Sequence, residues 1–435
     1  MAEAPRFQAP TGTFDVLPPA SARWQELLAR FAGVVGGAGY GLVINPLFED
    51  VGVFLRGIGE GSDVVTKEMY EFVDKGDRRL ALRPEGTASV VRAFVQHRPP
   101  VPFKAWYATP AFRYERPQAG RYRQHHQLGI EALGSEDPDL DVEVVALGHD
   151  FYRSLGLQQV TVKLNSMGDR DCLPAYRTAL AGYLEARAGD LCAEHREKWR
   201  ANPLRVLDCK KPECRAATAD APKTVDLLCE PCRKHFERVR TGLDDIGIAP
   251  VLDFRLVRGF DYYTRTTFEF VAEALSSAQN AIGGGGRYDG LVESLGGPAT
   301  PGIGFGMGIE RLLLACDAEG VMAAPAAQVD VFVVDVTGGA QALSLTTELR
   351  RAGVRTDRAF DGRSMKAQLR AADRSGAAVA VIIGEDEVTA GTAVVKAMSG
   401  GARQQAVARA EVVSTVRGLL TGSAGIEEFD GEGTA

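Results

Sequence analysis

Apolar residues at Trp24, Leu27, Leu28, Phe31 and Val34 recur at helical spacing, so the chain is predicted to begin with an amphipathic helix from Ser21 to about Val35. An extended, proline-containing stretch, Thr13–Pro19, leads into it. Through about residue 164 the pattern shortens to strand-like runs between polar segments, among them Leu80–Leu82, Ala105–Ala108 and Gln127–Ala132. Short strands with polar insertions predict an antiparallel sheet rather than a βαβ series. From about 168 to 250 the texture changes. Pro174–Arg187 reads as a helix, and a helix rich in Lys, Arg and Glu follows with a cysteine-bearing loop, together an inserted, mostly helical module. Strand signals return at Asp253–Leu256 and Thr267–Phe270, then four glycines at 283–286, then the glycine-alternating run Gly302–Gly308 before an apolar helix at Ile309–Cys316.

Ala323–Gln328 reads as a linker. Beyond it, strand (Val329–Val336), helix (Ala340–Ala352), strand (Val354–Asp357), helix (Ser364–Ala372) and strand (Ala377–Gly384) alternate, which predicts a small α/β domain. The fold class is thus α+β: an antiparallel core over 1–324 interrupted by 168–250, an α/β domain over 327–421, and a Gly- and acid-rich tail over 422–435 predicted to be disordered.

Composition narrows the function classes. With 45% apolar and 25% charged residues the 435-residue chain is neither disordered nor collagen-like. Seven cysteines are too few for a disulfide scaffold, and their odd number fits a reducing compartment. The N-terminus lacks a basic head and apolar run, and no apolar stretch approaches the roughly 18 residues that span a bilayer. A cytoplasmic protein without a membrane partner is expected. The net charge of −7 argues against a bulk electrostatic nucleic-acid coat. Residues 350–374 nevertheless carry eight basic side chains against three acidic ones, either a solvated helix face or a local contact for a polyanion.

Four distant segments carry more charge and glycine than a turn or strand edge requires. Arg83–Thr87 presents a carboxylate (Glu85) and a hydroxyl (Thr87) at a turn. Phe112–Glu131 reads as a strand, an arginine-rich loop (Arg116, Arg121, Arg123) and a return strand, with Arg113 and Glu115 sharing one face and Gln127, Gly129 and Glu131 another. Leu256–Thr264 places Arg258 before a glycine, with Tyr262 and Tyr263 after it. Gly283–Asp289, with the strand into Glu310 and Arg311, completes the set. Glycine at alternate positions leaves a sheet face bare, so that a flat ring or a backbone can lie on it. Arginines suit phosphate and carboxylate oxygens, glutamates an ammonium or a ring nitrogen, and tyrosines a partly apolar wall. Neither a Walker phosphate loop nor a dinucleotide fingerprint is present. A polyanion and a zwitterion would therefore be held by side chains on a sheet.

These segments resemble the histidyl-tRNA synthetases, a class II aminoacyl-tRNA synthetase family, over nearly the whole chain from Gly12 to Glu387. Leu256–Tyr263 and Gly284–Asp289 are similar to the two signature peptides of that family. Asn45–Glu49, with Pro46, resembles class motif 1 at a dimer interface, Phe112–Glu131 motif 2, and Gly304–Leu313 motif 3. The resemblance implies ligation of L-histidine to tRNA(His), with ATP and Mg as substrate and companion ion, by a homodimer. It assigns catalysis to Arg258 and Arg113, and histidine binding to Glu85, Gly86, Thr87, Arg113, Gln127, Glu131, Arg258, Tyr262, Tyr263 and Tyr288. ATP would meet Arg113, Glu115, Arg121 and Arg311; tRNA would meet Arg116, Arg121 and Arg123 and, through the terminal α/β unit, an anticodon-binding domain. A non-catalytic relative that regulates biosynthesis or senses tRNA is the alternative, but such proteins typically lose the arginine peptide or the terminal domain, and both are present here.

Cys209, Cys214, Cys229 and Cys232 form two close pairs separated by fourteen residues, a spacing close to structural zinc ribbons. The resemblance gives zinc no part in catalysis, so a filled site and an empty inherited one both stand. Cys172, Cys192 and Cys316 read as buried or incidental thiols. His125 and His126 lie beside the arginine loop and could touch RNA; His97, His149, His195 and His235 read as surface or core residues.

Overall fold

The computed structural model describes residues 7–59, 62, 64–260, 262–276, 280–324, 329–398 and 404–422. Most of the linker at 323–328, Asp261 of the arginine peptide and the tail beyond 422 lie outside the described residues. The chain divides into two compact units, residues 1–17 with 23–323 and residues 18–22 with 324–435.

Among the described residues the strands, numbered in chain order, are sixteen. In the first unit they are β1 (Gly41–Leu42), β2 (Phe48–Asp50), β3 (Tyr70–Val73), β4 (Arg79–Leu82), β5 (Phe103–Phe112), β6 (Gln124–Leu133), β7 (Val160–Ser166), β8 (Val251–Leu252), β9 (Thr264–Ala272), β10 (Ala281–Arg287) and β11 (Gly302–Gly308). In the second they are β12 (Val331–Asp335), β13 (Thr356–Arg358), β14 (Val379–Ile383), β15 (Thr392–Ala397) and β16 (Gln404–Ala408). The main sheet runs β1-β5-β6-β11-β10-β9-β7-β8, with its six central strands antiparallel and the two-residue strands β1 and β8 added in parallel at its edges. A small sheet, β2-β4-β3, carries the segment leading to Arg83.

Helix Ala20–Gly37 buries Leu27, Phe31 and Val35, four residues apart and therefore on one face. Helix Pro138–Ser154 starts where Asp137 accepts a hydrogen bond from the Asp139 amide, with proline in its first turn. Both contribute to a core that also takes the inward residues of β6, β7, β9 and β11. At full burial each such aliphatic or aromatic side chain contributes about 1.5–3 kcal/mol.

The segment 168–250 is helical as expected, but it belongs to two cores. Residues between Met167 and Ala221 form a separate apolar cluster around Tyr176, Leu180, Leu184 and Trp199. Helix Glu230–Asp245 instead sends Phe236, Val239 and Leu243 into the main core.

The second unit places β13, β12 and β14 in parallel, matching the predicted alternation of strands and helices. A hairpin, β15-β16, is then added antiparallel, and helix Val412–Leu420 packs over it.

Candidate functional site

The centre of the site is the carboxyl group of Glu131, on β6 and fully buried. Its Oε1 accepts hydrogen bonds from the Thr87 hydroxyl at 2.7 Å and the Tyr107 hydroxyl at 3.2 Å, and its Oε2 accepts one from the Tyr288 hydroxyl. Burial pushes its pKa up to about 8 and the neighbouring Glu85 adds to this, while the hydroxyls of Tyr288, Thr87 and Tyr107 pull it down. The group is therefore mostly neutral at pH 7, in a pocket whose tyrosines Tyr107, Tyr262, Tyr263 and Tyr288 are all held in the un-ionised form by burial.

Glu85 ends the turn after β4 and caps helix Thr87–His97: its two oxygens accept from the amides of Thr87 (2.6 Å) and Ala88 (2.8 Å). The Gly86 amide donates to Oε1 of Gln127 at 3.1 Å, which leaves the Gln127 amino group for another partner. Arg113 Nε donates to the Pro84 carbonyl at 2.9 Å, and its guanidinium lies over the Phe260 ring. Turn, strand and loop thus meet around Gln127 and Glu131.

Next to this neutral pocket the cations collect. Glu115 lies 4.0 Å from Arg113 and 3.5 Å from Arg121. Arg311 reaches the carbonyls of Gly120 (3.2 Å) and Ala281 (2.9 Å), so the arginine loop is held against the helix that follows β11. Burial lowers the Arg311 pKa, and Arg121 and Arg113 lower it further against Glu115 and Glu269. His125, between them, is pushed down to about 3 by burial and by Arg113, His126 and Arg311, and so stays neutral. Crowded like charges of this kind make a ready site for an anion. Arg258 bonds Glu269 on β9 at 3.0 Å and faces the Tyr263 ring, while its buried Nε has no partner among the described residues.

The glycines do not leave bare sheet everywhere, as the alternating pattern implied. A side chain at Gly304 would collide with Glu131, and one at Gly284 would come within 2.7 Å of Arg258. Neighbouring site residues fill that space. Only toward the end of β11 is the floor open, where Gly308 has nothing within 4 Å and Gly306 meets only the Tyr107 hydroxyl, at 3.6 Å.

A family model described as histidyl-tRNA synthetase matches residues 12–312, and one described as anticodon binding domain matches residues 328–419. The chain belongs to the histidyl-tRNA synthetase family. Histidine–tRNA ligase of Rhodococcus erythropolis is 48% identical over 97% of this chain and all of that protein; its Desulforamulus reducens counterpart is 46% identical over 94% and 98%. Apo S. aureus histidyl-tRNA synthetase superposes with a TM-score of 0.79 at 34% identity, covering 94% of this chain and 99% of that one. The main sheet is therefore that of a class II synthetase, and the second unit is an anticodon-binding α/β domain.

Several positions differ from the sequence-based expectation. Arg113 and Glu115 do not extend a strand: β5 stops at Phe112 because the Tyr114 amide turns away to the Glu68 carbonyl at 2.7 Å. Arg116 stands exposed, whereas Arg121 turns toward Glu115, and Arg123 packs on the Tyr114 ring at 3.9 Å. His126, expected as an RNA contact, has its ring nitrogen 2.9 Å from Glu310 while staying partly exposed. Tyr107 and Glu269 carry no signal in the sequence, since an aromatic or a carboxylate inside a strand pattern gives no sign of facing the site, and His125, expected beside the arginine loop as an RNA contact, is instead partly buried among the arginines.

The four-cysteine grouping is corrected. Cys209 and Cys214 gather with Cys192 and His195, while Cys229 and Cys232 gather with Asp169 and Cys172. Closeness in sequence misled here, because each pair's spatial neighbours come from earlier in the chain, at the entrances of helices Leu173–Glu185 and Ala193–Lys198.

Proposed function

We propose that this site activates L-histidine with ATP to histidyl-adenylate, releasing diphosphate, and transfers the histidyl group to the 3′ end of tRNA(His). The observation that carries this reading is the juxtaposition of two environments: a neutral carboxyl ringed by hydroxyls at Glu131, and a cluster of guanidinium groups at Arg113, Arg121 and Arg311.

The imidazole lies between Glu131 and Tyr263, with Tyr262 and Tyr288 as walls. Both ring nitrogens find polar partners. An apolar side chain of similar size would leave those buried partners unpaired, a discrimination of roughly 10⁴ that makes editing unnecessary. Gln127 and Glu85, with Thr87 and the Gly86 backbone, hold the amino end. Arg113 takes the carboxylate, and Arg258 meets the charge that develops on the carboxylate and α-phosphate as the adenylate forms. The triphosphate rests against Arg113, Arg121 and Arg311 near Glu115, and the adenine lies over the open floor at Gly306 and Gly308. Glu115 and Glu269, hard oxygen donors close to Arg311, are the residues that would hold Mg, which supplies countercharge to the triphosphate.

In the first step a histidine carboxylate oxygen attacks the α-phosphorus and diphosphate leaves. Charge grows on the phosphoryl oxygens, and Arg113 and Arg258, already oriented by Pro84 and Glu269, offset it without reorganising. In the second step a ribose hydroxyl of the tRNA 3′ end attacks the activated carbonyl and AMP leaves. Arg116 and Arg123, with Arg121 at the pocket rim, meet the acceptor end.

In the second unit, Lys366, Arg370 and Arg374 are four residues apart and exposed along helix Met365–Ser375, and Arg358 lies over the exposed ring of Phe360. A basic stripe beside an aromatic platform suits single-stranded RNA. Around Pro46 the exposed apolar side chains of Leu42, Ile44, Leu47 and Phe48 support pairing with a second copy. Among the described residues no helix is long and apolar enough to cross a membrane; a cytoplasmic homodimer is the assembly we assign.

ATP–pyrophosphate exchange with each of the twenty amino acids tests the reading. Histidine alone should support exchange; exchange with none, or with another amino acid, overturns it.

A further inference from the structure

The segment between β7 and β8 brings together two sets of metal-type ligands that the reaction does not use. In one, Cys192, His195, Cys209 and Cys214 each offer a ligand atom, and in the other Asp169, Cys172, Cys229 and Cys232 do; within each set all four atoms lie within 4.8 Å of one another. A tetrahedron around zinc, with zinc–sulfur bonds of about 2.3 Å, has corners about 3.5–3.8 Å apart. His195 Nδ1 lies 3.3 Å from Cys192 Sγ and 3.7 Å from Cys214 Sγ. Asp169 Oδ1 lies 3.4 Å from Cys172 Sγ and 3.8 Å from Cys229 Sγ. The separations are those of a tetrahedral ligand shell.

Three of the four ligand pairs share one construction, a two-residue gap across the start of a helix: Asp169 and Cys172, Cys192 and His195, Cys229 and Cys232. The gap turns both side chains toward one point. Backbone amides aim at the sulfurs as well, Cys192 N–H at Cys214 Sγ (3.4 Å) and Asp169 N–H at Cys172 Sγ (3.2 Å), which favours thiolate. At the second set the Arg265 guanidinium lies 3.9 Å from Asp169, a countercharge for four anionic ligands.

The local fold needs such a fastening. Around the first set the helices are Ala193–Lys198, Leu204–Leu207 and Pro212–Ala217, of six, four and six residues, far below the ~12–15 that hold a helix on its own. Their apolar cluster is small, and all seven cysteines are free. The second set joins the residue run leaving β7 to the start of helix Glu230–Asp245, so it closes the base of the segment. Arg265, beside it, is two residues from Tyr263 of the histidine pocket.

We propose that this segment binds two structural zinc ions, one in the Cys₃His set (Cys192, His195, Cys209, Cys214) and one in the Cys₃Asp set (Asp169, Cys172, Cys229, Cys232). Three thiolates with one nitrogen or oxygen select zinc over the harder divalent ions. Neither ion takes part in the reaction; they hold the lobe and its root.

The test is elemental analysis of the full chain, produced with zinc in the medium and purified without chelator. Two zinc ions per chain are expected. Replacing Cys192 and Cys214 together by serine should leave one, and so should replacing Cys172 and Cys232. Should either double variant fail to fold, X-ray absorption at the zinc edge of the unaltered protein still decides, with an expected shell of three sulfurs and one nitrogen or oxygen. One zinc per chain in a four-sulfur shell would restore the single ribbon of Cys209, Cys214, Cys229 and Cys232 and overturn the proposal. So would protein free of metal, or a non-reduced mass short by two hydrogens for each disulfide formed.

Discussion

Gly304 on β11 pairs directly with Glu131 on β6, and the carboxyl group of Glu131 occupies the volume that a side chain at 304 would take. The absence of a methyl group at one residue thus sets the position of a buried acid on the next strand. Gly304→Ala should displace Glu131 and raise the KM for histidine roughly 10–100-fold, the equivalent of about 1–3 kcal/mol of overpacking. The KM for ATP should change much less. Steady-state exchange kinetics with each substrate varied in turn will show the split, and equal rises in both would remove Glu131 from the amino-acid pocket.

Glu131 also gives a pH signature. Its folded-state pKa lies near 8 against about 4.5 when unfolded, so between these values the native protein holds a proton that the unfolded chain has lost. Stability from this group is fully present below about pH 4.5 and is lost as pH rises toward 8, at up to about 1.4 kcal/mol per pH unit. Denaturant unfolding of the ligand-free protein against Glu131→Gln, compared from pH 5 to 8.5, should show the difference between the two shrinking along that slope. A difference independent of pH would mean that Glu131 is ionised throughout.

Arg258 is anchored by Glu269, with its Nε left over, an arrangement suited to charge that appears late. Arg258→Ala should lower kcat for adenylate formation by about 10²–10³ while changing histidine affinity only a few-fold. Single-turnover kinetics alongside equilibrium binding of histidine separates the two. Equal losses in both would make Arg258 a ground-state binding group.

On the second unit, Phe360→Ala should weaken tRNA binding by about 1–3 kcal/mol, the usual worth of one stacked base. Lys366→Ala should instead flatten the salt dependence, reducing the slope of log K against log salt by about one. Exchange with histidine and ATP should be unaffected by either. Filter binding at several salt concentrations provides both readings; unchanged affinity in both variants would place the RNA elsewhere.

The antiparallel order of the core and the strand–helix alternation of the second unit were legible because each rests on local periodicity. The edge strands β1 and β8 were not, since two residues carry no period, and β15-β16 escaped because polar Gln404 and Gln405 break the alternation on an edge. In the site, Arg113, Glu131, Arg258 and Arg311 could be named from charge and glycine context. Tyr107 could not, because its hydroxyl matters only where β5 faces β6. The ligand sets failed for a similar reason. Cys192-x-x-His195 and Asp169-x-x-Cys172 repeat the spacing of Cys229-x-x-Cys232, but a cysteine search passes over their histidine and aspartate.

Asp141, fully buried, receives Arg287 from the glycine-rich signature strand at 2.6 Å and His235 from helix Glu230–Asp245 at 3.0 Å. Together with Phe236, Val239 and Leu243 on the same helix, this ties the end of the inserted segment into the catalytic core. The insertion therefore cannot be treated as a detachable cassette. Trimming it at 168 and 250 would strip an apolar seam from the enzyme and leave an acid short of one neighbour, whereas a shortened version that keeps 230–245 leaves that seam closed.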